Sequence, residues 1–208
     1  TPLAGGQCWS MSTFASLLVI LLPPVLAFSQ SSSLANPQSN KIACILNLNA
    51  RAVNFKFVRA AQEILGEENV FATATEEANH EAIKTIVARG YEYIVPGGGD
   101  GTLCTVINSL VDARKADKVH NTTKLPKFAY LPLGTGNGMS MLVGPRFRGR
   151  TKIIKMQKTL TRLKEIVDEC EKNSDMIMPV LKCPMVEVTR PESMNSAVAN
   201  SELCFFAG

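Results

Sequence analysis

The sequence contains few of the residues that build metal sites and disulfide frameworks. It has only two histidines, His80 and His120, and both lie in polar surroundings away from the glycine-rich segments. No two of its six cysteines have the spacing of zinc ligands, and the five beyond residue 40 are widely separated and odd in number. We therefore expect surface roles for both histidines, core roles for the cysteines, and neither a zinc site nor a disulfide framework.

Charge is absent from the first 40 residues, which contain no Asp, Glu, Lys or Arg. Within them, the apolar run 14–28 is short and is broken by Pro23 and Pro24, which favours a signal peptide over a membrane span. The serine-rich, acid-poor stretch 28–40 then resembles a transit peptide. We interpret residues 1–40 as a leader outside the fold that enters the secretory route, bound for a plastid or, alternatively, for the endomembrane lumen, with no transmembrane helix.

Long basic runs are also missing, which argues against a protein that binds nucleic acid. The net charge is only +4, and the densest basic segment, residues 146–155, has five basic residues in ten positions. We interpret this segment as a solvated loop that leads into a helix. The alternative is a contact with membrane headgroups or with the phosphates of a ligand.

Two glycine-rich turns are the most informative feature of the chain. The first, residues 97–101, has four glycines and Asp100 after the apolar segment 93–96, and the second, residues 133–138, follows the apolar segment 128–131. The amides of such turns, together with the start of the helix expected after the first one, bind phosphate. Each turn alone is also compatible with an ordinary strand-to-helix connection. Because parallel strands end at one edge of a sheet, the pair predicts a phosphate-binding cleft.

Neither common nucleotide-binding motif fits these turns. A P-loop requires Lys after its last glycine, and here Thr102 follows Gly101. The G-x-G-x-x-G spacing fails as well, since Thr102 and Met139 stand at the third glycine positions. These mismatches exclude a Walker-type ATPase and a usual dinucleotide fold.

The two motifs resemble the catalytic domain of the diacylglycerol kinase and sphingosine kinase family. They read Pro-Gly-Gly-Gly-Asp-Gly-Thr at 96–102 and Leu-Pro-Leu-Gly-Thr-Gly-Asn at 131–137. The Gly-Gly-Asp-Gly-Thr core of the first motif also occurs in NAD kinases, so the second motif is what points to lipid kinases. The segment 47–51 is similar to the family's opening Asn-Pro-x-Ser-Gly turn, with Leu48 in place of its proline and Arg51 in place of its glycine. Many members have Asp where this chain has Gly138.

The resemblance implies an α/β fold with a Rossmann-like parallel sheet and helices on both faces. Strand and helix patterns that alternate along the chain agree with it. They predict a helix over 54–65 that ends at Gly66, a helix that starts at Thr102, a strand over 128–133 and a helix over 158–172. Residues 41–174 would form the nucleotide-binding catalytic domain, and residues 175–208 the truncated start of a β-rich second domain. Because the family's second domain contributes much of the lipid pocket, we expect this fragment alone to be inactive or nearly so.

The resemblance further implies ATP-dependent transfer of the γ-phosphoryl group to a lipid hydroxyl of the diacylglycerol or sphingoid-base type, with Mg²⁺ as cofactor. The partner would be a lipid substrate at a membrane surface, and no nucleic acid. Alternatives are an NAD-kinase-like kinase of a soluble substrate and a nucleotide-binding module without activity. Asp100 is the expected catalytic acid-base group, which would activate the acceptor hydroxyl or act through Mg²⁺, and no metal ligand is assigned. The expected ATP-binding residues are Asn47, Asn49, Arg51, Thr73, Gly98, Gly99, Gly101, Thr102, Gly134, Thr135, Gly136 and Asn137.

Two of these residues have an alternative explanation. Arg51, just after a strand, is equally compatible with a solvated position. Thr73 has capping-box spacing to Glu76, although Thr75 is an equally good cap for the helix that follows.

Overall fold

An eight-stranded sheet organises the chain in the computed structural model, which describes residues 15–20, 41–116, 125–135, 137–140, 151–176, 178, 180–189 and 201–204. The strands are β1 Ala15–Ile20, β2 Ile42–Asn47, β3 Val70–Thr73, β4 Tyr93–Gly98, β5 Lys127–Phe128, β6 Leu131–Pro132, β7 Val180–Thr189 and β8 Ser201–Cys204. Their order is β3-β2-β4-β5-β1-β7-β8, and β6 pairs with the end of β4. The α-helices longer than two turns in the described ranges are α1 Phe55–Leu65, α2 Glu76–Ala88, α3 Asp100–Ala116 and α4 Lys152–Lys172, and a 3₁₀ helix spans Glu67–Asn69.

The part of the sheet that carries the glycine turns is parallel. Strand β2 lies between β3 and β4, and its residues 42–46 pair in register with residues 93–97 of β4. Strands β5 and β6 are also parallel to β4. Strand β1 is parallel to β5, whereas the pairs of β1 with β7 and of β7 with β8 are antiparallel. The predicted parallel α/β sheet is confirmed.

Helices cover both faces of this sheet because successive strand residues point to opposite sides. From β2, Ile42, Cys44 and Leu46 join one core with α1 and α4, while Ala43 and Ile45 join a second core with α2 and α3. Strands buried on both faces are typical of parallel sheets, and they explain the nearly continuous apolar sequence of β2.

Helix boundaries follow local capping chemistry. The side chain of Asn54 accepts the Lys56 amide at the start of α1, and Gly66 ends that helix at φ 94°, where glycine is favoured, as the sequence predicts. The side chain of Thr75 caps α2 by accepting the Ala78 amide at 3.1 Å. Of the two threonines considered for this cap, Thr75 is therefore the one that forms it.

Helices α1 and α4 both begin at the edge of the sheet where the parallel strands end. Helix α1 follows β2 and returns toward its start. At the far end of α4, Glu171 pairs with Lys41, the residue before β2, and Lys164 donates to the Ile64 carbonyl near the end of α1 at 3.1 Å. The two helices therefore run side by side in the same direction.

Three element boundaries differ from the sequence predictions. Helix α3 begins at Asp100 rather than Thr102, and α4 begins at Lys152, six residues before the predicted start at Lys158. The strand predicted over residues 128–133 is divided at Ala129 and Tyr130 into β5 and β6. The two-residue difference at α3 is within the usual variation of helix ends. For α4, the apolar repeat of Leu160, Leu163 and Val167 continues back through Met156 and Ile153. The interpretation of residues 146–155 as a loop is therefore corrected for residues 152–155, which belong to α4.

Part of the predicted leader lies in the sheet. The exclusion of all residues 1–40 from the fold is corrected for β1, which pairs with β5 at Val19 and Phe128 and with β7 along its whole length. A short uncharged apolar segment suits a buried strand as well as a signal peptide, and periodicity cannot separate the two. The leader function and its destination stay predictions, as does a domain boundary at residue 174. Within the described ranges, no helix combines the length and apolar character needed to cross a bilayer.

Candidate functional site

A cavity of about 840 Å³ opens at the carboxyl edge of β2, β3 and β4. This volume lies within the range of small-molecule sites. Nine of the predicted site residues line it: Asn47, Asn49, Arg51, Thr73, Gly99, Gly101, Thr102, Gly134 and Thr135. The structure thus brings the first turn after β2 and both glycine turns to one wall.

Free backbone donors stand at this wall where α3 begins. The first amide of α3 with an acceptor in the preceding turn is that of Leu103, which donates to the Gly99 carbonyl at 3.2 Å. The described part of the chain offers no acceptor to the amides of Gly101 and Thr102, as expected in the first turn of a helix. Apart from its chain neighbours and the backbone of its own helix, no described atom lies within 4 Å of the position a β-carbon would take on Gly101. Donors, a positive helix end and open space together suit an anionic group.

The two glycine turns touch each other backbone to backbone. The Gly98 carbonyl accepts the amides of Leu133 and Gly134, both at 2.8 Å. A methyl group on Gly134 would overlap the Cα of Gly99 and stand 2.7 Å from the Gly99 nitrogen. Glycine is therefore required at position 134 by close packing of the main chain.

The Asp100 side chain points to the second glycine turn and is not part of the cavity wall. Its Oδ2 accepts the Gly138 amide at 2.6 Å, and its Oδ1 accepts the Met139 amide at 3.1 Å. An ionised carboxylate offers about four acceptor positions, so these bonds leave others available. The structure therefore gives Asp100 a definite task in joining the two turns, and its expected acid-base role stays a prediction.

Tyr130 lies beside this carboxylate. Its hydroxyl is 3.3 Å from Asp100 Oδ1, 3.3 Å from the Gly98 carbonyl and 3.2 Å from Asn137 Oδ1. All three neighbours are acceptors, so the single phenol proton is shared among them. Burial, reinforced by the charge of Asp100, raises the pKa of Tyr130 well above its ordinary value. The hydroxyl therefore stays protonated at neutral pH and acts as a donor.

Asn137 closes the second turn from within. Its Nδ2 donates to the Gly134 carbonyl at 2.7 Å and its Oδ1 accepts the Gly134 amide at 3.1 Å. Its backbone has φ 52°, a left-handed conformation that asparagine tolerates better than most residues. Asn137 and Gly98 lie outside the cavity wall, and Gly136 lies outside the described residues. A direct contact of these three residues with a ligand stays a prediction.

The turn after β2 is tied to α3 and β3 by asparagine side chains. Asn47 Nδ2 donates to Thr102 Oγ1 at 2.9 Å, and Asn49 Nδ2 donates to the Ala74 carbonyl at 2.5 Å. Thr73, at the end of β3, is buried. Arg51 is exposed at the cavity wall, so its guanidinium can meet both solvent and a ligand.

Sequence reasoning missed the part of the wall formed by α2 and α3. Ser109 Oγ accepts from Asn79 Nδ2 at 3.1 Å and lies 3.2 Å from His80 Nδ1, and all three residues line the cavity. The sequence predicts that His80 lies away from the site, but it is half-buried in this wall. Its expected surface role, rather than a catalytic one, stays a prediction, and His120 lies outside the described residues. The sequence does contain a signal for this part of the wall. The polar residue Asn79 lies on the buried face of α2, one turn before Ala82 and Ile83, where an apolar residue would be expected.

The cysteines and the acidic side chains also bear on the sequence predictions. None of Cys44, Cys104 and Cys170 forms a disulfide, and burial raises the pKa of Cys44 to about 12. The expected core role is confirmed for Cys44 and Cys170 and corrected for Cys104. Over the described ranges, no group of three or more His, Cys, Asp or Glu side chains could hold a metal ion. Cys104 lies on the cavity wall.

Comparison with known proteins agrees with this geometry. The sequence model of the diacylglycerol kinase catalytic domain family matches residues 41–177, which include every residue named in the wall. A search of curated proteins finds no match.

Proposed function

Because the chain belongs to the diacylglycerol kinase catalytic domain family, we propose that it transfers the γ-phosphoryl group of ATP to the hydroxyl of a lipid. The observation that supports this most strongly is the contact between the two glycine turns beside the start of α3. It concentrates free amides and a positive helix end at one wall of the cavity. Phosphoryl transfer needs mainly such positioning and neutralisation of charge.

In this proposal the polyphosphate of ATP lies against Gly99, Gly101 and Thr102, next to Thr135 of the second glycine turn. Arg51 supplies a positive charge at the rim. The polar groups of α2 and α3 that line the cavity, including Asn79 and Ser109, would face the nucleoside. All of these residues hold or orient the nucleotide.

Mg²⁺ fits the proposal as a partner of the nucleotide. It commonly binds through phosphates, waters and one or two carboxylates, so a dedicated protein cage is unnecessary. Asp100 lies next to the phosphate wall, and Glu76 and Asp112 line the cavity, so one of these carboxylates would complete its coordination. When bound, the ion would neutralise phosphate charge.

Asp100 then has two linked tasks. Its bonds to Gly138 and Met139 hold the second turn in place, and its remaining lone pairs can take the proton of the lipid hydroxyl. Tyr130, a donor beside the carboxylate, helps to keep it in this orientation.

The proposal is tested by supplying full-length protein with γ-labelled ATP and Mg²⁺ and a panel of acceptors: diacylglycerol, a sphingoid base and NAD. We expect the labelled phosphoryl group to be transferred to one of the two lipids. Label in NAD would contradict the acceptor class. ATP binding without label in any acceptor would contradict the proposed catalysis.

A further inference from the structure

Two large apolar side chains are exposed at the edge of the sheet where the cavity opens. Phe55, the first residue of α1, is 83% exposed, and Ile154, in the first turn of α4, is 50% exposed. Since α1 and α4 run in the same direction from this edge, both side chains lie at the same end of the molecule. Arg51, on the cavity wall, precedes Phe55 by only four residues.

Cations surround these two side chains. Arg59 lies one turn after Phe55 on the same face of α1, and Lys158 lies one turn after Ile154 on the same face of α4. Lys56 adds a third charge. Within the described ranges none of these three cations forms an ion pair.

Acidic residues are missing from this end of both helices. Helix α1 has a single acid, Glu63, in its last turns, and α4 has none before Glu165. Neither helix has an acid in its first turn, whereas α2 begins with Glu76 and Glu77. Cations near a helix start oppose the helix dipole, so the positions of Lys56 and Lys152 do not serve helix stability. They instead produce a strongly positive surface.

We propose that Phe55, Lys56, Arg59, Ile154 and Lys158 form a docking patch for an anionic lipid bilayer. This inference rests on the proposed function, because it explains how the mouth of the cavity would be brought to a lipid substrate. The two apolar side chains enter the headgroup region, and the cations contact anionic headgroups.

A bilayer suits this patch better than a protein does. Two isolated apolar side chains within a field of cations provide less apolar area than a stable protein interface requires. They match the combination of apolar anchors and basic residues that places a protein on a charged membrane surface.

The test measures binding of the full chain to phosphatidylcholine vesicles with and without phosphatidylserine, by co-sedimentation. We expect binding to depend on phosphatidylserine and to weaken roughly tenfold both in Phe55→Ser/Ile154→Ser and in Lys56→Ala/Lys158→Ala. All four side chains contact mainly solvent or lie at helix surfaces, so these variants should fold normally.

Matched controls come from the opposite end of the molecule. Leu125, 53% exposed just before β5, is at the amino edge of the sheet, and Lys172 is at the far end of α4. Leu125→Ser and Lys172→Ala should leave vesicle binding unchanged. The proposed patch would be overturned if the control variants and the patch variants weakened vesicle binding equally. It would also be overturned if binding did not depend on phosphatidylserine.

Labelling of a water-soluble, short-chain lipid acceptor separates this inference from the proposed function. We expect patch variants to label it at the wild-type rate. A protein that labels this acceptor but shows no vesicle binding overturns the patch alone. A protein that binds vesicles through the patch but labels no acceptor overturns the kinase proposal alone.

Discussion

Replacing Asp100 with Asn is expected to lower kcat for lipid phosphorylation by roughly 10²–10⁴-fold in the full-length protein. Two physical effects combine. The amide cannot take a proton from the acceptor hydroxyl. Its NH₂ group must also face either the Gly138 or the Met139 amide, which places donor against donor where the carboxylate now accepts both. The second effect should cost about 1–3 kcal/mol in the free energy of unfolding.

Initial-rate kinetics and urea denaturation separate these effects. Tyr130→Phe is the matched control, because it removes a neighbouring hydroxyl and leaves both amide bonds to Asp100 intact. We expect Tyr130→Phe to keep most of the activity and Asp100→Asn to lose it while still binding ATP. If Asp100→Asn retained kcat within a few-fold of wild type, Asp100 would not be the acid-base group.

Substitution of Gly134 with Ala is the second change with a large expected effect. The added methyl group would collide with the backbone of Gly99, which cannot move aside as a flexible side chain can. We expect a loss of about 1–3 kcal/mol in the free energy of unfolding, together with loss of ATP binding as the two turns separate. Urea denaturation and equilibrium ATP titration measure these two quantities.

Gly99→Ala is the corresponding change on the other side of the same contact. A methyl group there would stand 3.6 Å from the Gly134 Cα, an ordinary contact distance. We therefore expect its stability to remain within about 0.5 kcal/mol of wild type. Similar destabilisation by both substitutions would show that the close approach of the turns is not what requires glycine at position 134.

Much of the fold could be predicted because the strands carry an unambiguous local signal. The uncharged apolar segments of β2 and β4 are short and are bounded by turn residues, and α1 ends at a glycine with positive φ. The placement of β1 could not be predicted, since its apolar sequence is equally suitable for a signal peptide. Composition alone does not decide between these two uses.

The candidate site was predictable where it depends on backbone and less so where it depends on side-chain direction. The glycine turns reach the cavity because parallel strands end at one edge, which is a property of topology. The orientation of Asp100 toward Gly138 arises from a contact between residues 38 positions apart, and no local pattern encodes it. The contribution of Ser109 likewise depends on how α2 and α3 pack.

Hydrogen exchange at the amides of Gly101 and Thr102, with and without ATP and Mg²⁺, tests the central claim most directly. These amides have no acceptor in the described protein, so they should exchange rapidly in the free chain. If phosphate oxygens bind there, ATP should slow their exchange at least roughly tenfold and leave the middle of α4 unaffected. ATP binding that leaves both amides unprotected, or that protects a different part of the chain instead, would contradict the account.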